Sequence, residues 1–140
     1  MTRVHHIGYL VKHLEKSRDS FLSLDFRVVG EAVCDRYRDV DILFMEKDGQ
    51  TVELVSPRSE ASVVARLIRT YRNAPYHICY ETDNLEEELA RLEGSGFTRI
   101  EDPAPAPALG WRRVCFLMSP WIGMIELLEA GGGEMPSAGE

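Results

Sequence analysis

The chain has little cysteine and no pattern that would use it. Cys34, Cys79 and Cys115 are odd in number, lie far apart and form no CxxC pair. Neither a disulfide framework nor a thiolate zinc site is therefore indicated. We expect all three to be reduced, buried thiols.

Long apolar runs and dense basic runs are missing as well. No stretch approaches the roughly 20 apolar residues of a membrane-spanning helix. The start, MTRVHHIGYLV, lacks the apolar core and the cleavage site of a signal peptide. A formal charge of −7, from 16 basic and 23 acidic residues, gives no basic footprint for a nucleic-acid backbone. We therefore expect a cytoplasmic protein that binds neither membranes nor nucleic acids.

The composition is that of a folded protein. Hydrophobic residues make up 44% of the 140 residues and charged residues 28%, which is ordinary for a globular chain and too apolar for a disordered one. The length allows one compact domain, or two half-sized units that share a core.

An internal repeat is the strongest signal in the sequence. A shift of 71 positions places HHIGYLVKHLEKSRDSFLSLDFRVV, from His5, on YHICYETDNLEEELARLEGSGFTRI, from Tyr76. In this register His6 coincides with His77. A further shift of two residues aligns TVELV, which contains Glu53, with MIELL, which contains Glu126. Repeats of this kind decide the fold before any motif does.

Each half is predicted to be a βαβββ unit. A short run rich in Ile, Val and Tyr indicates the first strand, an apolar face of period 3.6 indicates a helix, and three extended segments follow. Asp83 is expected to cap the second helix and Ser59 an amphipathic linking helix. The predicted division is a single domain, 1–130, with module one at 1–57, the linking helix at 58–74 and module two at 75–130; residues 131–140 are expected to form a flexible tail.

The two pairs of repeated residues predict a metal site. Taken singly, a Glu in a strand most often faces solvent, and a lone His is most often a packed or surface residue. The repeat instead brings equivalent strands of both halves together around a pseudo-twofold axis. His6, Glu53, His77 and Glu126 would then offer two imidazoles and two carboxylates, which suit Zn, Ni, Co, Mn or Fe(II) and leave a coordination position open for catalysis.

The pattern resembles the vicinal oxygen chelate superfamily, which includes glyoxalase I, methylmalonyl-CoA epimerase, extradiol dioxygenases and antibiotic resistance proteins. The resemblance implies an α+β fold in which two βαβββ modules form a cupped mixed sheet around one divalent metal ion. The opening VHHIGYLVKHLEKS looks like an epimerase or glyoxalase start, in which the histidine before the Ile-Gly pair is the ligand, here His6. The stretch VELVSPRSEASVVARLIRTYRNAPYHICYET is most similar to methylmalonyl-CoA epimerases, although these have a second His at Tyr76. The loops PAPAPALG and MSPWIG also depart from the epimerase pattern.

The resemblance implies a metal-dependent isomerase or lyase that removes a proton next to a metal-bound carbonyl. Glu126 is implied as the base, and Asp41, where some epimerases carry a carboxylate, as the second acid/base group. The expected partner is a small molecule, either an acyl-CoA or a glutathione thioester or hemithioacetal, and relatives imply a homodimer. A glyoxalase I-like enzyme and a non-catalytic antibiotic-binding protein are the alternatives; an extradiol dioxygenase is disfavoured.

Other polar residues are expected to stay outside the site. His5 and His13 are interpreted as bystanders. Arg112 and Arg113, with the neighbouring Trp111, either contact a phosphate or an adenine ring at the site mouth or form ordinary surface charge, and surface charge is the favoured interpretation.

Overall fold

A computed structural model describes residues 1–131 of the chain. The flexible tail predicted for 131–140 therefore lies, apart from Gly131, outside the described residues. The strands are β1 Thr2–Leu10, β2 Arg27–Asp35, β3 Val40–Lys47, β4 Gln50–Pro57, β5 Ala74–Thr82, β6 Thr98–Arg99, β7 Ala104–Ala106, β8 Arg112–Ser119 and β9 Gly123–Glu129. The helices are α1 Leu14–Ser23, α2 Val63–Tyr71 and α3 Leu85–Glu93, with a 3₁₀ turn at Pro107–Leu109.

The strands form one mixed sheet in the order β2-β3-β4-β1-β5-β9-β8-β6, and β7 pairs with β8. β1 runs parallel to β4, and β5 runs parallel to β9. The two central strands, β1 and β5, pair antiparallel and join the halves. The predicted α+β fold with a single mixed sheet is confirmed.

The sequence repeat is visible in the pairing register. Gly8 on β1 lies opposite Glu53 on β4, and Cys79 on β5 lies opposite Glu126 on β9. Gly8 and Cys79 are the residues that the 71-residue shift superposes. The halves are therefore related by a pseudo-twofold axis between β1 and β5.

The two faces of the sheet have different roles. Helix α1 packs through Leu14 and Phe21 on one face, against a cluster that includes Leu43 and Leu54. Helix α3 packs the equivalent face of the second half through Leu85, Leu89 and Leu92, as its 3.6-residue period predicted. The opposite face of the sheet lies beneath α2 and carries a separate apolar cluster. In the described part of the chain, no helix is long and apolar enough to cross a membrane.

The structure corrects both predicted helix caps. Ser62, not Ser59, begins α2, because its side chain accepts a 3.2 Å hydrogen bond from the Val64 amide. Ser59 bonds the side chain of Asp39 instead. Asn84, not Asp83, caps α3 by accepting from the amide of Glu87 at 3.1 Å. Ser and Asn are both strong N-cap residues, and each of these caps lies closer to its helix than the residue predicted.

The second half departs from a simple βαβββ order. The second strand predicted for this half, in the segment FTRIE, shrinks to the two-residue β6. The PAPAPALG segment, predicted as a loop, contains β7 and the 3₁₀ turn. β7 pairs only with β8, so it is an edge strand. Because an edge strand can turn an unpaired backbone position toward solvent, Pro105 is tolerated there.

Candidate metal centre

His6, Glu53, His77 and Glu126 lie on β1, β4, β5 and β9, the four central strands of the sheet. Each residue is at most 4% exposed. A Glu in a strand, taken singly, most often faces solvent. Glu53 does not, because both faces of β4 are covered: Glu53 and Val55 face inward and Leu54 packs beneath α1.

Donor atoms of the four side chains converge, all within 4.8 Å of one another. The Nε2 atoms of His6 and His77 lie 3.2 Å and 3.1 Å from Oε1 of Glu126. The same two nitrogens lie 3.4 Å and 3.6 Å from Oε1 of Glu53. The structure therefore brings together all four residues that the repeat predicted as ligands.

This arrangement has the chemistry of a divalent-metal site. Nε2 of His6, Nε2 of His77 and Oε1 of Glu126 are buried and find no aligned hydrogen-bond partner within residues 1–131. Orphaned buried polar atoms are costly unless something else binds them. Neighbouring ligands bonded at about 2.1 Å to one ion lie about 3.0 to 3.4 Å apart, which is close to the observed spacing. Two imidazoles and two carboxylates thus fit one divalent ion.

Two β-bulges stand directly before the two histidines. Val4 pairs with Tyr80 and His6 with Cys79, so His5 is the extra residue on β1. Gly8 pairs with His77 and the next pair joins β1 to Pro75, so Tyr76 is the extra residue on β5. His5 and Tyr76 are equivalent in the repeat. Bulges re-aim neighbouring side chains, and this pair orients His6 and His77 symmetrically.

Aromatic rings and one glycine enclose the His77 imidazole. Its centroid lies 4.4 Å from the ring of Tyr76 and 5.1 Å from that of Phe116. Its ring also lies where a Cβ of residue 8 would be, so Gly8 is required for the close approach. On the other side of the site, Phe44 packs 5.6 Å from the ring of His6.

Electrostatics couple the four side chains. Burial lowers the pKa of His6, but the charge of Glu53 and the contacts with Cys79 and Glu126 together outweigh it, and the net pKa lies well above the ordinary value. Burial raises the pKa of Glu126, but the charge of His77 and contacts with both histidines bring the net pKa well below the ordinary range. Burial, followed by the charge of Glu126, raises the pKa of the Cys79 thiol.

His5 lies against the site without belonging to the four. Its Nδ1 is 2.9 Å from Nδ1 of His6. Burial, then the charges of His6 and Arg112, lower the pKa of His5 to about 4. The sequence-based interpretation of His5 as a bystander is therefore inconsistent with its position, whereas His13 is exposed and lies away from the site.

A cavity of about 440 Å³ opens from Glu53 and Glu126, a size typical of small-molecule sites. Apolar side chains form most of its wall, among them Val40, Ile42, Val55, Val64, Leu67, Leu109, Val114, Phe116 and Met124. Tyr76 lines it beside the two carboxylates, and burial raises the pKa of that phenol well above its usual value. A small, largely apolar molecule fits this space.

Three acidic residues line the cavity in addition to Glu53 and Glu126. Asp35, Asp39 and Glu101 line it, and Arg38 is the single cation among the described lining residues. Arg38 is already engaged: its Nη1 bonds Asp35 at 2.8 Å and the Pro105 carbonyl oxygen at 3.0 Å. This contact joins the β2–β3 turn to β7 and closes one side of the cavity.

The structure does not bring Asp41 to the site. Val40 and Ile42 line the cavity, and side chains alternate along a strand, so Asp41 points to the opposite face of β3. There it accepts a 2.8 Å hydrogen bond from Nη1 of Arg58. The role of second acid/base group, inferred from resemblance, is not supported by this position.

The other residues singled out from the sequence have structural contacts. Arg112 is buried and bonds Glu81 at 2.8 Å, and Arg113 bonds Glu129 at 2.8 Å. Neither arginine lines the cavity. The favoured surface-charge interpretation agrees with the position of Arg113 but not with that of Arg112, which is buried. All three cysteines are free, but Cys34 is exposed, contrary to the expectation that all three are buried.

Sequence reasoning missed Gly8, Tyr76 and Arg38. Gly8 and Tyr76 could have been found from the repeat, because each differs from its equivalent, Cys79 or His5, directly beside a proposed ligand. Arg38 gave no sequence signal, since its partners at the β7 edge are backbone carbonyls.

Comparisons with known proteins agree with this geometry. The sequence model described as Glyoxalase/Bleomycin resistance protein/Dioxygenase superfamily matches residues 4–116. The mitochondrial methylmalonyl-CoA epimerase of Bos taurus is 26% identical over 131 residues, covering 91% of this chain and 74% of that protein.

Solved structures share the fold. A hypothetical protein from Bacillus halodurans C-125 superposes with a TM-score of 0.86 at 24% identity, covering 96% of this chain and 99% of that one. The methylmalonyl-CoA epimerase of Streptomyces coelicolor, in complex with 2-nitronate-propionyl-CoA, superposes with a TM-score of 0.80 at 20% identity, covering 97% and 99% of the two chains.

Proposed function

Because this chain belongs to the glyoxalase/bleomycin resistance protein/dioxygenase superfamily, we propose that it is a divalent-metal-dependent isomerase of the epimerase type. It would remove and return a proton on the carbon next to a carbonyl group. The observation that carries this proposal is the convergence of two imidazoles and two carboxylates at the inner end of a cavity. The proposed ligands are His6, Glu53, His77 and Glu126, and the proposed ion is Zn, Ni, Co, Mn or Fe(II).

The ion, when bound, would supply Lewis-acid stabilisation of negative charge on the substrate oxygen. The chain itself must supply the proton transfer. Glu126 is the proposed base, because its carboxylate lines the cavity and lies beside both imidazoles. A carboxylate within reach of the reacting carbon is the geometric requirement for this role.

Epimerisation requires a second proton-transfer group on the other face of the carbon. Asp41 points to the opposite face of β3 and cannot be this second group. Glu53 is the equivalent of Glu126 across the pseudo-twofold axis and is the candidate in its place. β4 and β9 flank the central strands on opposite sides, so Glu53 and Glu126 approach the site from opposite sides, and both line the cavity. We therefore assign the two proton-transfer roles to this pair.

The proposed substrate is an acyl thioester, and acyl-CoA is its proposed form. The epimerase relatives support this choice. The apolar wall suits an acyl group. The charged lining residues are mostly acidic and Arg38 is already paired, so the described lining offers no free cation for the CoA phosphates. The acyl part would thus lie inside the cavity and the phosphates outside it.

A glyoxalase I-like activity is the second candidate. The ligand set of two His and two Glu favours it, and the same paired carboxylates could move a proton between the adjacent carbons of a thiol hemithioacetal. A non-catalytic binding protein would need the cavity but not the metal.

The test is metal analysis followed by deuterium exchange. The metal-loaded chain should incorporate solvent deuterium at the α carbon of methylmalonyl-CoA, and the chelated chain should not. Glu126→Gln and Glu53→Gln should each slow epimerisation by about 10² or more, the scale of a general acid or base. Asp41→Asn is the matched carboxylate control and should leave the rate unchanged.

The alternatives predict other outcomes. If the chain converts a glutathione hemithioacetal but incorporates no deuterium into methylmalonyl-CoA, the glyoxalase-type reaction is favoured and the epimerase is refuted. Tight binding of a small apolar ligand by a chain that holds no metal would favour the binding protein.

A further inference from the structure

The two proposed histidine ligands differ in what holds the nitrogen that faces away from the cluster. Nδ1 of His6 lies 2.9 Å from Nδ1 of His5, with the two rings nearly perpendicular at 80°. Nδ1 of His77 is buried and finds no hydrogen-bond partner within residues 1–131. The position equivalent to His5 is Tyr76, which packs its ring edge-to-face on His77 instead.

The bulge on β1 makes the His5 contact possible. In a regular strand, adjacent side chains point to opposite faces and cannot meet. His5 is the extra residue between the pairs Val4–Tyr80 and His6–Cys79, so the local alternation is broken and the two imidazoles can face each other. Because His5 is half-buried and His6 is fully buried, little water is available to replace this contact.

The contact fixes the protons on both rings. Two Nδ1 atoms at hydrogen-bond distance share one proton, and a neutral imidazole carries its proton on one nitrogen only. Nε2 of His6 faces the carboxylates of Glu53 and Glu126. A ligating Nε2 needs a free lone pair, so His6 must carry its proton on Nδ1 and donate it to Nδ1 of His5. His5 then carries its own proton on Nε2.

We propose that His5 is a positioning residue that accepts a hydrogen bond from His6 and holds the tautomer and ring orientation in which Nε2 of His6 binds the metal. This inference rests on the proposed metal centre and deepens it. His5 does not line the cavity and is not one of the four proposed ligands. Outer partners of this kind orient a ligand and raise its basicity, and their removal costs about 10–100-fold in metal affinity.

The test measures Zn²⁺ affinity of the full chain by competition with a chromophoric chelator. His5→Leu removes the acceptor and should weaken Zn²⁺ binding by about 10–100-fold. His5→Asn places an amide oxygen near the position of Nδ1, which can accept the same hydrogen bond, and should restore affinity to near that of the unchanged chain. His13→Leu, at an exposed histidine away from the site, should have no effect.

A second measurement reads the tautomer directly. In the Zn²⁺-loaded chain, ¹⁵N NMR should show His6 protonated at Nδ1 with a downfield, slowly exchanging proton, and His5→Leu should remove that proton signal while circular dichroism confirms the fold. Equal Zn²⁺ affinity in the unchanged chain and His5→Leu would overturn the inference and leave the metal centre standing. Equal weakening in His5→Asn and His5→Leu would also overturn it, since packing alone would then be the cause. If the unchanged chain binds none of Zn²⁺, Co²⁺, Ni²⁺, Mn²⁺ and Fe²⁺, the proposed function itself fails and the role of His5 fails with it.

Discussion

Replacement of Gly8 by alanine should disable the proposed metal centre without touching a proposed ligand. Gly8 lies opposite His77 across the β1–β5 register. A methyl group there would lie 2.5 Å from Nε2 of His77 and closer still to two other atoms of the ring. Because real side chains do not approach this closely, the imidazole must leave its place.

The ring has little room to move. Tyr76 and Phe116 pack against it with centroids 4.4 Å and 5.1 Å away, so displacement means overpacking, which costs about 1–3 kcal/mol. We expect a fall in Tm of roughly 3–6 °C per kcal/mol for a chain of this size. With His77 displaced, Zn²⁺ affinity should fall more than about 100-fold, beyond the cost of losing an outer partner.

The assay compares Zn²⁺ affinity, and the gain in Tm on adding Zn²⁺, in Gly8→Ala and Cys79→Ala. Cys79 is equivalent to Gly8 in the repeat and already has a Cβ, so its truncation adds no atom to the site. The control should retain most of the Zn²⁺-induced rise in Tm, whereas Gly8→Ala should lose it. Unchanged Zn²⁺ affinity in a folded Gly8→Ala chain would refute both the placement of His77 and its role as a ligand.

Three further predictions concern the cavity and the surface. Arg38→Ala should lower the free energy of unfolding, measured in urea, by about 2–4 kcal/mol. The reason is that the carboxylate of Asp35, which is 1% exposed, loses its buried partner. An unchanged midpoint of urea unfolding would show that the contact between the β2–β3 turn and β7 does not stabilise the fold. Contact with Arg113 lowers the pKa of the Glu129 carboxyl below its ordinary 4.5, so this pair stabilises the fold above about pH 5 and loses its contribution as the pH falls through the lowered pKa. The stability difference between the unchanged chain and Arg113→Gln should therefore shrink on acidification below pH 5, and a difference that grew would contradict the ion pair. Finally, if the chain is the proposed epimerase, the N-acetylcysteamine thioester of methylmalonate should be epimerised within about tenfold of the CoA thioester, one factor of ten being about 1.4 kcal/mol. The reason is that the proposed binding mode leaves the CoA phosphates outside the cavity; a much larger loss would indicate a phosphate site on this chain.

The fold could be predicted from the sequence because the repeat supplied information that no single segment contains. The apolar period of Leu85, Leu89 and Leu92 identifies a helix but not its partner. The coincidence of His6 with His77, and of Glu53 with Glu126, places four strands in one sheet. The caps were missed because Ser59 and Asp83 satisfy the same sequence rule as Ser62 and Asn84, and only tertiary contacts, such as that of Asp83 with Arg3, decide between neighbours.

The surroundings of the site were harder to predict than its centre. Asp41 was assigned by alignment to relatives, but a shift of one residue in a strand reverses the face of every side chain. Val40 and Ile42 take the cavity face, and Asp41 takes the other. His5 was interpreted as a bystander because the resemblance selects the histidine before the Ile-Gly pair, His6, as the ligand. The bulge that brings His5 against His6 leaves no local sequence signature.

Comparison of equivalent positions shows where the two halves have diverged. The proposed ligands are the same in both halves, so a symmetric set of two His and two Glu would by itself treat the two faces of a substrate carbon alike. The neighbours differ: His5 supports His6 through a hydrogen bond, whereas Tyr76 packs on His77 and lines the cavity. Gly8 admits the His77 ring, whereas Cys79 fills the equivalent position beside His6. In the proposed reaction, a chiral substrate would be held in one orientation while Glu53 and Glu126 exchange protons with opposite faces of its carbon. Among these asymmetric neighbours Tyr76 lines the cavity, so it is the residue positioned to set that orientation.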